Sequence, residues 1–338
     1  MNTEIPKPVP GANQHPRTRS LVFLTWGLPV LLLTGITIWF LLHGGEGSFW
    51  HSPANGLSRA PNPEEKLNSS EPGGPIEVVS TIFPLSDIAK NIGGDKVSVM
   101  TLIPPGANPH TYEISPTQAI LVAKASLLIR VGAGLDDFVD KIMSSISSRE
   151  TIILRLTDGV DLVDGDPHIW LDPVIVKERI VPAITGALCR IAPEDAAYFR
   201  KNQFLYQERL DALHREIQRL LSNLEGRPLI SVHSAWRYFC LRYGLKGIYI
   251  EEFPGKEPSP RWISTVVDLA KRSGAQAIFV EPQFSAKMAE TIAQELGVEV
   301  YEADPIGKEG VPGFNTYIDL MKHNVEVFRK ALGENRDL

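Results

Sequence analysis

Hydrophobic positions from residue 76 onward follow two alternating patterns: short β-branched runs, and longer stretches with apolar residues three or four positions apart. The first pattern predicts buried strands and the second predicts amphipathic helices. Strand–helix alternation of this kind is typical of parallel sheets with helices on both faces. The predicted strands form two groups of four, which span residues 76–82, 97–103, 127–131 and 151–156, then 229–232, 247–251, 277–281 and 298–303.

A long helical pattern separates the two groups of strands. Leu210, Leu213 and Ile217 follow the three-four spacing of one helix face, and charged residues fill the opposite face. A helix of about thirty residues is roughly 45 Å long, which is longer than a crossover between two strands needs. We therefore predict an α/β fold of two lobes, each a four-stranded, mostly parallel sheet flanked by helices. A rigid linking helix at 193–225 joins an N-terminal lobe at 76–192 to a C-terminal lobe at 226–338.

The N-terminal region predicts attachment to a membrane. Residues 21–42 contain no charge and would span about 33 Å as a helix, enough for a bilayer core. Basic residues precede this segment, so the tail at 1–20 is expected in the cytoplasm and the rest of the chain outside it. The apolar run is longer than a signal-peptide core, and no small-residue cleavage pattern follows it. We favour an uncleaved transmembrane signal anchor over a cleaved export signal, followed by a flexible linker at 43–75.

The composition excludes several classes of protein. The formal net charge is −6 and the calculated isoelectric point is near 5.8, which argues against binding to nucleic acid. Two cysteines in 338 residues cannot form a disulfide framework. Only one segment is apolar enough to cross a bilayer, which excludes a transporter with several spans. What remains is a globular protein working outside the cytoplasm, in the periplasm or an equivalent space.

Four residues with metal-binding chemistry are predicted at the carboxyl ends of strands, where open α/β sheets bind ligands. His110 and His168 follow the second and fourth strands, while His233 and Asp304 follow the fifth and eighth. Three imidazoles and a carboxylate form a shell that Zn²⁺ accepts. The other histidines are less suited: His15, His43 and His51 lie in the tail and linker, and His214 and His323 lie within predicted helices. Taken singly, each of the four fits an ordinary hydrogen-bonded loop residue, and their shared position favours a metal site.

The sequence around these residues resembles the zinc/manganese solute-binding proteins of bacterial ABC importers. The matching motifs, in chain order, are PGANPHTYE at 105–113, DPHIWLDP at 166–173, HSAWRYF at 233–239, EPQF at 281–284 and DPIG at 304–307. The resemblance implies two lobes joined by one long helix, with a metal ion between them. It also implies that His110, His168, His233 and Asp304 hold the ion, and that the loaded receptor docks on an importer permease served by its ATPase. We expect a monomer.

The choice of metal depends on the third ligand. Manganese receptors of this family commonly have Glu at the position of His233, and a nitrogen-rich shell favours Zn²⁺ over Mn²⁺. We predict zinc, with manganese or iron as the alternatives. Zinc-binding members of the family often carry a His-rich loop in the first lobe. The corresponding segment of this chain, residues 135–167, contains no histidine. Because the imidazoles must be neutral to bind, the affinity should fall as the pH drops through about 6.5.

Two other functions fit the same residues. A zinc hydrolase would leave one coordination position to water and use Glu281 or Glu113 as its base. We expect no enzymatic activity, because Asp304 would fill that position. The second alternative is a metal-dependent adhesin, which would have the same fold.

Residues near the predicted site have less decided roles. Glu281 is predicted to support a ligand or cap a helix, and Glu113 and Glu257 to be solvated or to contact the permease. Trp170 and Trp236 are predicted to shield the site by packing. Cys189 and Cys240 lie in predicted helices, which favours free thiols over a disulfide.

Overall fold

The computed structural model of the chain describes residues 74–145, 151–251, 257–308, 310–311 and 313–333. All of these residues belong to one compact unit. The predicted tail, the apolar segment at 21–42 and the linker up to residue 73 lie outside the described residues. Within the described part, no helix is both long and apolar enough to cross a bilayer.

The first sheet has four parallel strands in the order β2-β1-β3-β4. Its strands are β1 (Ile76–Ser80), β2 (Val97–Thr101), β3 (Leu127–Arg130) and β4 (Ile152–Arg155). Its helices are α1 (Phe83–Gly93), α2 (Pro116–Lys124) and α3 (Phe138–Ser145). The central strand β3 is buried along its whole length, as expected for a parallel strand covered on both faces.

The second sheet repeats this topology, with four parallel strands in the order β6-β5-β7-β8. Its strands are β5 (Pro228–Ser231), β6 (Lys246–Tyr249), β7 (Ala277–Val280) and β8 (Glu299–Glu302). Its helices are α7 (Arg237–Tyr243), α8 (Pro260–Ser273), α9 (Lys287–Leu296) and α10 (Tyr317–Gly333). The predicted fold class, two four-stranded parallel α/β sheets flanked by helices, is therefore confirmed.

A continuous helical segment leads from the first sheet towards the second. It consists of α4 (Pro173–Ile175), a wider helical turn at Val176–Ile180, and α5 (Val181–Ile191). The long helix α6 (Ala196–Leu221) follows, and begins later than predicted because Pro193–Asp195 forms a separate 3₁₀ turn. The buried face of α6 carries the apolar positions that predicted it, including Leu210, Leu213 and Ile217.

One hydrophobic core runs through both halves of the described unit. Side chains from both sheets, such as Ile129 of β3 and Phe279 of β7, belong to a single buried cluster. The same cluster includes Phe199 of α6 and Phe328 of α10. Burial of apolar area is the main favourable contribution to folding. A relative movement of the two sheets would therefore have to disturb this common core.

The predicted strands are one or two residues too long at their carboxyl ends. Ile82, Ile103 and Val131 were expected in strands, but each lies in the loop just after one. All three remain at most 2% exposed, so the apolar pattern continues beyond the last ladder position. The apolar pattern therefore indicates which residues are buried, and here the burial extends into the first residues of the loops.

Local signals fixed several helix boundaries as expected. Ser115 caps α2 in a capping box, because its hydroxyl accepts from the backbone N–H of Gln118 while the Gln118 side chain accepts from the backbone N–H of Ser115. Gly274 and Gly297 end α8 and α9 in the left-handed conformation that favours glycine. These stops place the following strands, β7 and β8, whose carboxyl ends lead into the polar loops.

Candidate metal centre

His110 lies on the loop between β2 and α2, in a Pro-rich segment. Its backbone N–H donates to the Oδ1 of Asn108 at 2.9 Å, a local turn that fixes where the imidazole leaves the chain. The side chain is only partly buried, unlike those of the other candidate histidines. A cleft of about 680 Å³ is lined by all three histidines, and His110 is the least buried of them.

His168 lies between β4 and α4 and is held by one carboxylate. The Oδ1 of Asp166 accepts from the backbone N–H of His168 at 2.9 Å and lies 2.6 Å from the ring Nδ1. A carboxylate at Nδ1 favours the tautomer with its proton there, which leaves Nε2 with a free lone pair. Asp166 is paired in turn with Arg237 of α7, whose Nε lies 3.3 Å from Oδ2.

His233 follows β5 and has an equivalent arrangement. Its Nδ1 contacts the carboxylate of Glu251, the residue that lies two positions after the end of β6. The ring of Phe284 stacks on the imidazole with centroids 5.0 Å apart. In two of the three histidines a carboxylate therefore contacts Nδ1, which leaves Nε2 available to bind a metal ion.

The three Nε2 atoms converge. Those of His110 and His233 are 3.2 Å apart, and those of His233 and His168 are 3.1 Å apart. An ion bound tetrahedrally at about 2.0–2.1 Å from each nitrogen would separate its ligand atoms by about 3.3 Å. Among the described residues, these three side chains form the group whose ligand atoms all lie within 4.8 Å of one another. Their spacing fits a first-row divalent metal ion.

Asp304, the fourth predicted ligand, lies beside this group but is not a member of it. Its Oδ1 accepts from Gln283 Nε2 at 3.1 Å and from the backbone N–H groups of Ile306 and Gly307, each at 3.0 Å. Its Oδ2 is buried and has no hydrogen-bond partner. The structure therefore holds one oxygen of Asp304 firmly and leaves the other free, and its role as a ligand stays a prediction.

Burial and neighbouring charges separate the pKa values of the cluster. Burial lowers the pKa of His110 to about 3, and the nearby His168 and His233 contribute in the same direction. Burial also lowers the pKa of His168, and the hydrogen bond that its ring donates to Asp166 opposes this shift. For His233, burial is outweighed by the carboxylates of Glu281, Glu251 and Asp166, which leave its pKa above the ordinary value. His110 and His168 are thus neutral at pH 7 and ready to bind a cation.

Glu281 lies directly after β7 and is 2% exposed. Burial raises its pKa to about 7, the charges of Asp304 and Glu251 act in the same direction, and His233 opposes them. A small cavity of about 10 Å³ lies between Glu281 and the three histidines. Glu281 thus lines the cavity beside the centre, although, like Asp304, it is not a member of the three-histidine group.

Glu251, Asp166 and Phe284 are the residues at this centre that the sequence reading did not assign to it. Glu251 could have been found, because it was predicted as the last residue of a strand, at the same edge as the histidines. Asp166 is the first residue of the DPHIWLDP motif, which assigned a metal-binding role only to His168. Phe284 belongs to the EPQF motif, but its stacking on His233 could not be predicted because it depends on where the loop after β7 lies.

The other singled-out residues lie away from the centre. His214 is in α6, with its Nδ1 3.1 Å from the Tyr243 hydroxyl, and His323 is in α10 against Phe314. Cys189 and Cys240 are free thiols, as favoured. Glu113 and Glu257 are exposed.

The two tryptophans are buried, as expected of packing residues. The Trp170 ring lies 5.2 Å from the His168 ring, whereas Trp236 packs against Phe239 and Phe328.

Comparisons with known proteins give a consistent result. The sequence model of the family described as zinc-uptake complex component A, periplasmic (ZnuA), matches residues 78–331. The manganese-binding lipoprotein MntA of Halalkalibacterium halodurans is 32% identical over 281 residues, which cover 80% of this chain and 93% of that protein. The high-affinity zinc uptake system protein ZnuA of Bacillus subtilis is 26% identical over 294 residues, with 80% and 92% covered.

Solved structures match over the same part of the chain. A crystal structure of ZnuA is similar with a TM-score of 0.69 at 28% sequence identity, over 76% of this chain and 99% of that one. A laminin-binding protein of Streptococcus agalactiae, described as both an adhesin and a metal transporter, has a TM-score of 0.69 at 25% identity. These similar proteins are named for zinc, for manganese and for adhesion.

Proposed function

Because the chain belongs to the family of periplasmic zinc-uptake component A proteins, we propose that it is the substrate-binding receptor of a metal importer. It captures a divalent transition-metal ion and delivers it to an ABC permease. The family match confirms the resemblance that the sequence motifs indicated. The observation that supports this function best is the convergence of three histidine Nε2 atoms, 3.1 and 3.2 Å apart, at the carboxyl edges of two sheets.

In this proposal His110, His168 and His233 bind the ion through Nε2, and Asp304 adds an oxygen from the free side of its carboxylate. Asp166 and Glu251 hold two of the rings in the correct tautomer, which raises their basicity as ligands. The half-buried His110 meets the arriving ion first, because it is the most exposed of the three histidines that line the open cleft. Binding replaces the water around the ion with ligands that the fold has already placed.

Zinc is the proposed cargo. Three imidazole nitrogens form a softer shell than Mn²⁺ prefers, and a given site generally binds Zn²⁺ more tightly than Mn²⁺. The similarity to MntA as well as to ZnuA keeps manganese, or iron, as the alternative cargo.

The remaining features of the proposal concern the setting of the receptor. We propose that it works outside the cytoplasm as a monomer, attached to the cytoplasmic membrane by the apolar segment at 21–42. Its partners would be the importer permease and the ATPase on the other side of the membrane. Lobes at 76–192 and 226–338, with α6 between them, would each provide part of the metal centre.

A transport receptor is favoured over a zinc hydrolase. A hydrolase needs a water on the metal and a carboxylate base beside it. Glu113 is exposed, on the loop after His110, and Asp304 offers a buried oxygen for the position where such a water would bind. No enzymatic role is proposed.

The deciding experiment is metal binding by the purified full-length chain in a mild detergent. We expect one Zn²⁺ per chain by mass spectrometry, and a stronger preference for Zn²⁺ than for Mn²⁺ in a competition titration. His168→Ala should lower the zinc affinity at least a hundredfold, whereas His323→Ala, a histidine on α10 outside the centre, should leave it unchanged. Failure of the unmodified chain to bind any of these ions would refute the proposed function.

A further inference from the structure

The loop after β7 approaches the metal centre at three points. Glu281 lies against the small cavity between the histidines, Gln283 donates to the Oδ1 of Asp304 at 3.1 Å, and Phe284 stacks on His233. One short segment thus supports a histidine, holds a predicted oxygen ligand and places a second carboxylate there. From this arrangement we infer that Glu281 is itself a ligand, so that three imidazole nitrogens and two carboxylate oxygens surround the ion.

The surroundings of Glu281 carry this inference. The side chain is 2% exposed, and its Oε1 is buried without a hydrogen-bond partner. Buried carboxylates are as a rule paired with a cation, hydrogen-bonded, or bound to a metal. Two other described carboxylates have such an oxygen: Oδ2 of Asp166, which has the Nε of Arg237 at 3.3 Å, and Oδ2 of Asp304. Among these three described carboxylates, Glu281 and Asp304 are therefore the two that form no ion pair with a lysine or arginine side chain.

The sheet explains why these two carboxylates come together. Strands β7 and β8 are parallel neighbours, with Val280 paired to Glu302. The ladder continues as the backbone N–H of Ala303 donates to the carbonyl of Val280 at 2.9 Å. Glu281 follows β7 directly, and Asp304 is the second residue after β8. Parallel strands deliver both side chains to one edge, beside His233 at the end of β5.

Asp304 would complete a four-coordinate shell and leave a fifth position for another oxygen. Three donors already occupy its Oδ1, so it offers a single oxygen to an ion. The cavity beside the three rings, by contrast, is lined by Glu281. Two carboxylates would also balance the two positive charges of the ion, which three neutral imidazoles cannot do.

This inference rests on the proposed function and changes its selectivity. Oxygen ligands and a fifth coordination position both suit Mn²⁺ better than a closed tetrahedral shell does. Glu281 would therefore let the centre hold Mn²⁺ in spite of its three histidines. Its removal should cost Mn²⁺ binding more than Zn²⁺ binding.

The test uses Co²⁺ as a spectroscopic probe, together with Zn²⁺ and Mn²⁺ titrations, on the purified full-length chain. In Glu281→Gln we expect Mn²⁺ affinity to fall at least tenfold further than Zn²⁺ affinity. The visible absorption of bound Co²⁺ should become more intense, as a five-coordinate ion becomes four-coordinate. The matched control is Glu302→Gln, an exposed glutamate at the end of β8, which should change neither reading.

Unchanged Co²⁺ absorption together with an unchanged Mn²⁺-to-Zn²⁺ ratio would overturn the role of Glu281 and leave the receptor function standing. Absence of metal binding by the unmodified chain would instead overturn the function itself. If Glu281→Gln does not fold, as judged by circular dichroism, Glu281→Asp provides the same test. The shorter side chain keeps the charge but withdraws the oxygen, and the same selective loss of Mn²⁺ affinity is expected. An unaltered ratio in that variant would contradict the inference.

Discussion

The indole Nε1 of Trp170 donates a 2.8 Å hydrogen bond to the carbonyl oxygen of Pro305, and so joins the loops that carry His168 and Asp304. The carbonyl oxygen of Trp170 in turn accepts from the hydroxyl of Tyr317 at 2.8 Å. Trp170 follows the first sheet, whereas Pro305 and Tyr317 follow the second. Protein contacts therefore connect the two sides of the centre without any contribution from an ion.

Replacing this indole should weaken both the fold and the site. Trp170→Phe loses the bond to Pro305 and leaves a cavity in the core, so we expect the free energy of unfolding to fall by about 2–3 kcal/mol. Zinc affinity should fall as well. The matched control is Trp262→Phe, because the Trp262 indole donates to Ile250 at 2.9 Å within the second half. Denaturant unfolding and zinc titration of both variants would measure the losses in stability and in zinc affinity. If Trp170→Phe and Trp262→Phe bind zinc equally well, the Trp170 hydrogen bond does not support the centre.

The contribution of Asp166 to orienting His168 can be measured by comparing the zinc affinities of two variants at neighbouring positions. Asp166→Asn removes the charge at the ring Nδ1, and outer carboxylates of this kind typically contribute ten- to a hundredfold to metal affinity. We expect a loss of about that size for zinc. Asp164→Asn is the control, because Asp164 lies two positions earlier, is exposed, and pairs with Arg237 at 2.9 Å. A comparable loss in both variants would point to the general charge of the loop.

Metal affinity should fall on acidification, with His233 as the main site of proton competition. Its raised pKa means that it holds a proton at a pH where His110, with a pKa of about 3, is already neutral. Below the His233 pKa, each unit of pH should lower the apparent zinc affinity by about tenfold. Titrations from pH 8 to pH 5.5 against a competing chelator of known affinity would measure this.

Glu251→Gln supplies the check on this assignment. It removes one of the carboxylates that raise the pKa of His233, so the decline in affinity should begin at a lower pH. Affinity at pH 8 should nevertheless be weaker, because the ring loses its orienting partner. An identical pH profile in both proteins would exclude His233 as the competing group.

The first sheet depends on a buried cation behind the centre. Arg130 is 1% exposed, and its Nε donates to the Oδ1 of Asp136 at 3.1 Å. Arg130→Met would leave the fully buried Asp136 without its cation, so we expect a loss of about 3–5 kcal/mol in unfolding free energy. Arg155→Met is the control, because its side chain is 43% exposed and pairs with Asp140 at 3.5 Å, and should cost less than about 1 kcal/mol. Urea unfolding gives both values, and a small loss for Arg130→Met would contradict the argument.

The sequence was most informative where local rules govern structure. Ser115 correctly predicted the start of α2, and Gly274 and Gly297 correctly predicted the ends of α8 and α9. Such boundaries are readable from sequence because a helix cap depends on a few consecutive residues. The spacing of Leu210, Leu213 and Ile217 identified the buried face of α6. It did not reveal that one core is common to both sheets, since periodicity shows that a face is buried but not what it packs against.

For the centre, the amino-acid sequence is sufficient to place His110, His168 and His233 just after strands, and parallel topology brings such positions to one edge of a sheet. That their Nε2 atoms lie 3.1 and 3.2 Å apart is known only from the folded structure. The folded structure also decided that Glu251 and Asp166 orient the rings, and that Glu281 lies at the cavity between them. The physical reason is that these contacts join residues on different strands and loops. Their distances depend on how two sheets pack around a common core, which no local pattern records.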